Sequence, residues 1–322
     1  MAARLTRLSE PTEGRLRLTI LGGFLGSGKT TWLRHQLHEQ AFGRVHVIVN
    51  EAAEAPVDDA LLSAADQMTL LAGACVCCDA RDDLQACFLS ICDQRSRTAD
   101  PARRLENVVL ETSGLADPAA ILDLIQGDPI LARQIVVAEV IVVIDALNAR
   151  DQMQNEALSR AQIEAADRLV LTKTDLAPPD TTAELRATLK QRAPGAEQSA
   201  AVFGSGSDLP VMGDARPFAL PEIADATPIT ASQLDLGDTP DWTAFTVWLS
   251  ALLYARGDQI VRVKGVVRTP AGRLLLQTVR RSVQSPEILP EQDDTRSDNE
   301  VAVIGRGFTQ ALLVASLSRF SA

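Results

Sequence analysis

Short runs of aliphatic and β-branched residues alternate with helical stretches between residues 17 and 202. The runs are RLTIL at 17–21, VHVIV at 45–49, NVVLE at 107–111, IVVAEVIVVID at 135–145 and RLVLT at 168–172. They are continuously apolar, as expected of strands that are covered on both faces. The pattern predicts an α/β domain built on a mostly parallel sheet with helices on both faces. Because ligands of such sheets bind at the carboxyl ends of the strands, we expect the functional residues there.

The composition changes between about Phe203 and Asp241, where Gly, Pro, Ser and Asp become frequent, as is typical of a linker. Beyond it, the pattern predicts a smaller α+β domain. Its expected elements are a helix at 242–254, strands at 259–268, 273–281 and 301–305, a polar loop at 285–300 and a final helix from 308. The predicted organisation is a flexible tail (1–14), an α/β domain (15–203), a linker (204–240) and a C-terminal domain (241–322).

An excess of acidic residues narrows the choice of partners. The 322 residues include 31 Lys and Arg against 42 Asp and Glu, a formal charge of -11. Such a protein repels phosphate backbones and anionic lipid, so we expect neither nucleic acid nor membrane as a partner. The apolar run 135–144 is interrupted by Glu139 and reads as a buried strand, and the first fourteen residues lack the apolar core of a secretory signal. We expect a soluble, cytoplasmic protein.

A glycine-rich segment after the first strand fits the phosphate-binding pattern G-x-x-x-x-G-K-[ST]. Its glycines let successive backbone N–H groups turn inward, and the helix that follows adds positive potential at its N-terminus. Lys29 supplies a charge for the β- and γ-phosphates, and the Thr30 hydroxyl is a ligand for Mg²⁺. The alternative is a chance glycine-rich turn before a helix. The residues predicted to bind the nucleotide phosphates are Gly23, Gly26, Ser27, Gly28, Lys29, Thr30 and Thr31.

A second Mg²⁺ anchor is expected at the end of a neighbouring strand, and Glu111-Thr112-Ser113-Gly114 follows the strand at 107–110 in this way. Glu111 is the predicted Mg²⁺ residue and, with Lys29, the predicted catalytic residue. Gly114 would let a backbone N–H approach the γ-phosphate, so the segment after it would respond to the change between di- and triphosphate. An ordinary turn at the end of a strand is the alternative interpretation.

The residues that select the base are expected at the end of the strand at 168–172, in Thr172-Lys173-Thr174-Asp175. The Asp175 carboxylate can accept hydrogen bonds from N1 and N2 of guanine, which adenine does not offer, and the stem of Lys173 can pack on the ring. Asn usually occupies the first position of this motif, where Thr172 stands here, so we expect weaker affinity with specificity retained. The alternative is a charged turn that caps the next helix.

Three thiols lie within four residues at Cys75, Cys77 and Cys78. Thiolates bind Zn²⁺, Cu⁺ and other soft or borderline metals, and a tetrahedral ion would take a fourth donor from elsewhere. The alternatives are a redox pair and simple packing of small apolar side chains. Glu51 and Glu54 follow the strand at 45–49 and are possible accessory carboxylates, or else part of a solvated acidic loop.

The other soft ligands of the chain are interpreted as structural. Cys87 and Cys92 are five residues apart on the predicted helix that follows and are expected in the core. His35, His38 and His46 are the three histidines, and each is expected to be a surface or satisfied core residue rather than a ligand.

These motifs, in this order, resemble the CobW family of P-loop GTPases. The likeness rests on GGFLGSGKTT at 22–31, the Cys-x-Cys-Cys segment at 75–78, ETSGLADP at 111–118, TKTD at 172–175 and RVKG at 262–265. The resemblance implies a metallochaperone or metal-insertion GTPase that uses GTP and Mg²⁺. It further implies that nucleotide state controls a transition metal at Cys75, Cys77 and Cys78, with Zn²⁺ expected first and Co²⁺, Fe²⁺ and Cu⁺ open, for delivery to a client metalloprotein. Which client, and whether the chain forms a homodimer, stay open.

Two features set this chain apart from that pattern. The loop after the second strand tends to contain Gly in relatives, whereas here NEAAEAPVDD at 50–59 has Ala53 and Pro56, which should stiffen it. Leu115 occupies the position where some GTPases place a water-orienting Gln, so we expect slow intrinsic GTP hydrolysis that a partner accelerates. The rival functions are an ATP-dependent small-molecule kinase and a nucleotide-regulated redox-sensing module.

Overall fold

The computed structural model describes residues 14–51, 67–72, 80–221, 229–257, 259–279, 282–283, 287–289, 291 and 298–320. The chain divides into two compact units. Residues 16–229 form one unit, and the residues from 230 onward belong to the other.

The first unit is built on an eight-stranded sheet in the order β3-β2-β4-β1-β5-β6-β7-β8. Neighbouring strands are parallel except for β8, which runs antiparallel to β7. The strands are β1 (Leu16–Gly22), β2 (Val45–Glu51), β3 (Gln67–Ala72), β4 (Asn107–Glu111), β5 (Ile135–Asp145), β6 (Arg168–Thr172), β7 (Glu197–Val202) and β8 (Ser205–Ser207). The predicted parallel α/β sheet is confirmed, and β3, β7 and β8 are strands that the apolar pattern did not reveal.

The helices of this unit follow most of the strands, as the alternating pattern requires. They are α1 (Lys29–His38), α2 (Ala80–Arg97), α3 (Pro118–Gly127), α4 (Pro129–Gln134), α5 (Ala149–Asn155), α6 (Ala157–Ala165) and α7 (Pro179–Arg192). Capping residues in the local sequence determine where two of these helices begin. The Asp117 carboxylate accepts from the Ala119 N–H and Asp128 from the Ile130 N–H, so each caps a helix that begins with proline.

The core of the first unit lies on both faces of the sheet. Leu18, Ile20 and Leu21 on the central strand β1 are each 0% exposed, although neighbouring positions point to opposite faces. On one face, Trp32 and Leu33 of α1 pack against strand residues. Burial on both faces explains why the strands have no apolar–polar alternation.

The second unit contains an antiparallel sheet in the order β12-β11-β10-β14-β9, with β13 paired to β11. Trp248 and Phe245 of its first helix form the centre of its core with Val263 and Val301 of the sheet. Its elements are β9 (Ile229–Asp235), α8 (Trp242–Arg256), β10 (Ile260–Thr269), β11 (Gly272–Val279), β12 (Ser282–Val283), β13 (Glu287–Leu289), β14 (Glu300–Arg306) and α9 (Gln310–Leu317). This is the smaller α+β domain that the sequence predicted, but the stretch at 285–300 predicted as a polar loop contains strand β13, which pairs with β11.

The segment 204–240 differs from the linker that its composition predicted. Residues 205–219 lie against the first unit: β8 pairs with β7, the Phe218 N–H donates to the Thr188 hydroxyl over 3.1 Å, and the Arg150 guanidinium lies 5.1 Å from the Phe218 ring centroid. Strand β9 belongs to the second sheet. The described part of the segment therefore contributes a strand to each sheet rather than serving only as a connection. In the described part of the chain, no helix is long and apolar enough to span a membrane.

Candidate functional site

The loop between β1 and α1 has a backbone path that only glycine allows at its first position. Gly23 has a φ of 141°, and a Cβ there would collide with the carbonyl oxygen of Val143 and lie 2.8 Å from Ser27 Oγ. Gly26 and Gly28 also have positive φ angles, and Gly28 leads directly into α1. The loop is therefore a tight turn at the N-terminus of a helix, the geometry that cradles phosphate.

The Lys29 ammonium folds back over this loop. Its Nζ donates to the carbonyl oxygens of Gly23 over 3.0 Å and of Phe24 over 3.4 Å. A positive charge is thus held at the mouth of the turn, where the phosphates of a nucleotide bind in proteins of this architecture. Thr31, also predicted to bind phosphate, lies half-buried in the first turn of α1.

Thr30 and Glu111 meet although they are 81 residues apart in the chain. The Thr30 hydroxyl donates to Glu111 Oε1 over 2.5 Å, and Glu111 is only 4% exposed at the end of β4. Because β1 and β4 are parallel neighbours, their carboxyl ends bring the helix after one and the acid after the other together. A hydroxyl and a carboxylate are hard oxygen donors that suit Mg²⁺, so these two residues fit a magnesium nucleotide.

The segment after β4 touches the phosphate loop. A Cβ at Gly114 would lie 2.7 Å from the backbone nitrogen of Leu25, so only glycine permits this approach. The buried Gln162 side chain of α6 donates through Nε2 to the carbonyl oxygens of Gly114 over 3.2 Å and Ala116 over 2.7 Å. The segment that sequence predicted to sense nucleotide state is therefore fastened to α6.

Thr172 connects β6 to the phosphate loop. Its hydroxyl lies 2.7 Å from the carbonyl oxygen of Ser27 and 3.1 Å from that of Ile144, and the single hydroxyl proton is shared between these acceptors. The residue is 7% exposed. Thr172 thus faces the phosphate loop, where it supports the backbone that it touches.

Lys173 also bridges to the loop. Its Nζ donates to the Gly26 carbonyl oxygen over 2.9 Å and forms an ion pair with Asp145 Oδ2 over 2.6 Å. Burial opposes ionisation of Asp145, but hydrogen bonds from Lys173, Asn148 and the Leu147 N–H outweigh it, so the pKa of this carboxyl lies below its ordinary value. A buried carboxylate thus fixes the direction of the lysine stem.

Asp175 lies in the turn that follows β6 and is exposed. Among the described residues it makes no hydrogen bond or ion pair, in contrast to Asp145. Its carboxylate oxygens are available to a ligand at the same edge of the sheet as the phosphate loop.

The residues predicted to bind the transition metal lie outside the part of the chain whose side chains the structure describes. Cys75, Cys77, Cys78 and Glu54 fall outside the described residues, and Glu51 ends β2 with its side chain undescribed. Within the described ranges, no group of three His, Cys, Asp or Glu residues could hold a metal ion. Cys92 is 1% exposed, and burial raises the pKa of its thiol to about 11, as fits a core residue; Cys87 is half-buried.

Two supporting residues escaped the sequence analysis. Asp145 ends β5, so the rule that ligands bind at the carboxyl ends of strands could have found it. Gln162 lies in the middle of α6, and nothing in its local sequence marks it, since its role depends on contacts across 46 and 48 residues.

A glycine-rich turn before a helix, a lysine over that turn and a threonine–glutamate pair beside it define a P-loop nucleotide-binding protein. The sequence profile for the nucleotide-binding domain of CobW/HypB/UreG matches residues 17–200, and the profile for the cobalamin synthesis protein cobW C-terminal domain matches residues 231–321. The chain belongs to the CobW/HypB/UreG family.

Several known proteins are similar to this chain. The zinc chaperone YjiA of Escherichia coli is 32% identical over 282 residues, covering 83% of this chain and 86% of that protein. The zinc-regulated GTPase metalloprotein activator 1 of Schizosaccharomyces pombe is 29% identical over 180 residues, 53% of this chain and 42% of that protein. A Zn(II)-bound triple mutant of the YjiA GTPase has a similar structure, with a TM-score of 0.60 and 25% identity over 95% of this chain and 99% of that one.

Proposed function

We propose that this protein is a GTP-hydrolysing metallochaperone that binds a transition metal under the control of nucleotide state and delivers it to a client metalloprotein. Zinc is the first expectation for the metal, with Co²⁺, Fe²⁺ and Cu⁺ as the alternatives. The metal ligands of this proposal are Cys75, Cys77 and Cys78, with Glu51 and Glu54 as accessory residues.

One observation carries the nucleotide half of the proposal. The Thr30 hydroxyl and the Glu111 carboxylate, which two parallel strands bring within 2.5 Å, lie beside the phosphate loop. Mg²⁺ held there would neutralise the charge that develops on the phosphates during transfer. Lys29 contributes its ammonium to the same phosphates, and Gly23, Gly26, Ser27, Gly28 and Thr31 supply the backbone around them.

The metal half of the proposal is supported by the relatives and by the thiol motif. The relatives named zinc chaperone and zinc-regulated GTPase metalloprotein activator share the family, and three thiols in four residues match the ligand preference of zinc. The thiol segment follows β3, which pairs with β2, and β2 pairs with β4, which carries Glu111. The two sites therefore extend from one sheet, in which β2 lies between the strand that precedes the thiols and the strand that carries Glu111.

In the proposed cycle, GTP and Mg²⁺ order the segments after β2 and after Gly114. These segments bring the thiols into a geometry that holds metal, and hydrolysis releases it. Water attacks the γ-phosphorus, the bond to the β–γ bridging oxygen breaks, and GDP and phosphate leave. Because Leu115 offers no polar group to orient that water, intrinsic turnover is slow and a partner accelerates it.

The first test separates this proposal from an ATP-dependent kinase. Calorimetric titration of the full chain with Mg²⁺ present should show that GDP binds far more tightly than ADP. Lys29→Ala should abolish binding, whereas Lys190→Ala, at an exposed lysine of α7, is the control and should not. Equal affinity for GDP and ADP would contradict the proposal.

A substitution at Asp175 tests directly how the base is selected. Asp175→Asn should lower affinity for GDP and raise it for XDP, because xanthine carries a carbonyl oxygen where guanine carries the amino group that Asp175 accepts from. A variant that loses affinity for GDP without gaining affinity for XDP would argue against Asp175 as the base-reading residue.

A separate experiment distinguishes metal binding from redox sensing at the thiols. Thiols are counted after treatment with a mild oxidant, with and without protection by Zn²⁺.

A further inference from the structure

The turn between β7 and β8 contains an unusual residue. Val202 pairs with Ser205, so the loop consists of only Phe203 and Gly204. Both have positive φ angles, 50° and 91°, which is the signature of a type I′ hairpin turn. Such turns strongly favour Asn-Gly, Asp-Gly or Gly-Gly, and a bulky residue in the left-handed region is strained.

The backbone strain at Phe203 is not offset by packing of its side chain. The Phe203 side chain is 83% exposed, so its ring is held out in solvent rather than buried in the unit. Gly204 keeps the turn close to α1, because its carbonyl oxygen accepts from Gln36 Nε2 over 3.2 Å and a Cβ at this position would collide with His35 and lie 3.0 Å from the carbonyl oxygen of Thr31. The structure therefore presents an aromatic ring on a rigid turn at the cost of backbone strain.

The turn lies next to the one that carries Asp175. Strands β6 and β7 are parallel, and Thr172 of β6 lies opposite Ala201 of β7. Phe203 is two residues beyond Ala201, and Asp175 is three residues beyond Thr172. Neighbouring strands are about 4.8 Å apart, so both turns extend from one edge of the sheet. Gly204 packs against α1, the helix that begins at the phosphate loop.

We propose that Phe203 stacks on the purine base of the bound nucleotide. This inference rests on the proposed function, and it adds an affinity residue to the base site. Stacking is indifferent to the identity of the base, because every purine presents a π-face. In this division of labour, Phe203 contributes affinity and Asp175 contributes the choice of guanine. The stacking of Phe203 also compensates for the affinity that is lost because Thr172 stands where Asn is usual.

The test compares ligands with and without a base. Calorimetry with Mg²⁺ present measures the affinity of the full chain for GDP, ADP and inorganic tripolyphosphate. Phe203→Asn should weaken GDP binding about tenfold, a change of about 1.4 kcal/mol. The same substitution should leave tripolyphosphate binding unchanged, since that ligand contacts only the phosphate loop.

The choice of asparagine separates function from folding. Asparagine tolerates the left-handed conformation, so Phe203→Asn should keep or raise the thermal unfolding midpoint while nucleotide affinity falls. Phe203→Trp should retain GDP affinity and show a larger fluorescence change on GDP binding than the parent protein, whose tryptophans lie elsewhere. Phe203→Leu, which keeps apolar bulk without an aromatic ring, should resemble the asparagine variant.

The outcomes are distinct from those of the proposed function. Unchanged GDP affinity in Phe203→Asn overturns the stacking role, and so does a parent protein that binds tripolyphosphate as tightly as GDP. If Phe203→Asn instead changes only the sedimentation of the protein or its binding to a second copy, the ring serves an interface and the proposal is wrong. A parent protein that prefers ADP would refute guanine selectivity, while a loss of ADP affinity in the variant would still support stacking.

Discussion

At the scale of single residues, the phosphate loop and the start of α1 are held by individual side-chain hydrogen bonds to neighbouring strands. Thr172 bonds to the Ser27 carbonyl oxygen, Lys173 to that of Gly26, and Thr30 to Glu111. Each contact joins residues more than 80 positions apart in the chain. Sequence reasoning predicted the chemical type of each residue from its motif. It did not predict these mutual contacts, because they depend on which strands become neighbours.

Replacement of Thr172 tests the support that its hydroxyl gives. Thr172→Val keeps the shape but leaves the buried Ser27 carbonyl oxygen without this donor, which should lower the free energy of unfolding by about 1–3 kcal/mol. GDP affinity should fall with it. Thr172→Ser keeps the hydroxyl and should stay near the parent protein. Chemical denaturation and calorimetry measure both quantities, and equal values for the valine and serine variants would contradict a supporting role.

His46 predicts a dependence of stability on pH. It is 6% exposed on β2, and its ring nitrogens lie 3.1 Å from Gln67 Oε1 and 2.8 Å from Thr69 Oγ1. Burial lowers its pKa, and the Gln67 hydrogen bond opposes this less strongly. As pH falls below the ordinary histidine value of about 6.5, the unfolded chain takes up the proton first, so stability declines.

The measurement is the free energy of unfolding between about pH 8 and pH 5. His46→Gln should lose less stability over this range than the parent protein, because the variant no longer carries a group that binds a proton more readily when unfolded. His38→Gln, at an exposed position of α1, is the control for removing an imidazole. An identical slope for His46→Gln and the parent protein would rule out this account.

At the scale of elements, helix α6 fastens the segment that follows β4. The Gln162 side chain, 1% exposed, donates to two backbone carbonyl oxygens of that segment. The same segment contacts Leu25 of the phosphate loop through Gly114. A movement of this segment on exchange of GDP for GTP would therefore have to break or re-form the Gln162 contacts.

Gln162→Leu should change how the protein responds to nucleotide. The ratio of affinities for a non-hydrolysable GTP analogue and GDP should shift several-fold, because the segment is no longer held in one position, and the free energy of unfolding should drop by about 1–3 kcal/mol. Gln191→Leu, at an exposed glutamine of α7, is the matched control. A loss of stability with an unchanged affinity ratio would make Gln162 a purely structural residue.

Elements were predictable from sequence where the apolar pattern was strong. Strands β1, β2, β4, β5 and β6 and the position of the phosphate loop follow from runs of Val, Ile and Leu and from the Gly-Lys-Thr motif. Strands β3, β7, β8, β9, β12 and β13 were absent from the prediction. β8 and β9 lie in the segment 204–240, whose Gly, Ser and Pro resemble linker composition, and the pairing of β9 with β14 depends on a contact between distant parts of the chain.

At the scale of the whole molecule, the account predicts that two ligands are coupled. The nucleotide site and the thiol segment extend from strands of one sheet that β2 separates, and the segments after β2 and after Gly114 respond to the γ-phosphate in the proposed cycle. Coupling between two equilibria is reciprocal, so metal must tighten GTP binding by the same factor by which GTP tightens metal binding.

The most direct test is a chelator-competition titration of Zn²⁺ into the reduced full chain with Mg²⁺ present. It compares no nucleotide, GDP and a non-hydrolysable GTP analogue. Cys77→Ser with Cys78→Ser is the variant expected to lose zinc and keep GTP binding, and Cys92→Ser, at a buried thiol outside the motif, is the control expected to keep zinc.

The account predicts that the GTP analogue tightens Zn²⁺ binding at least about tenfold, which corresponds to about 1.4 kcal/mol of coupling. The Cys77 and Cys78 double variant should abolish this difference. Equal zinc affinity in all three nucleotide states would contradict the central claim that nucleotide gates the metal site.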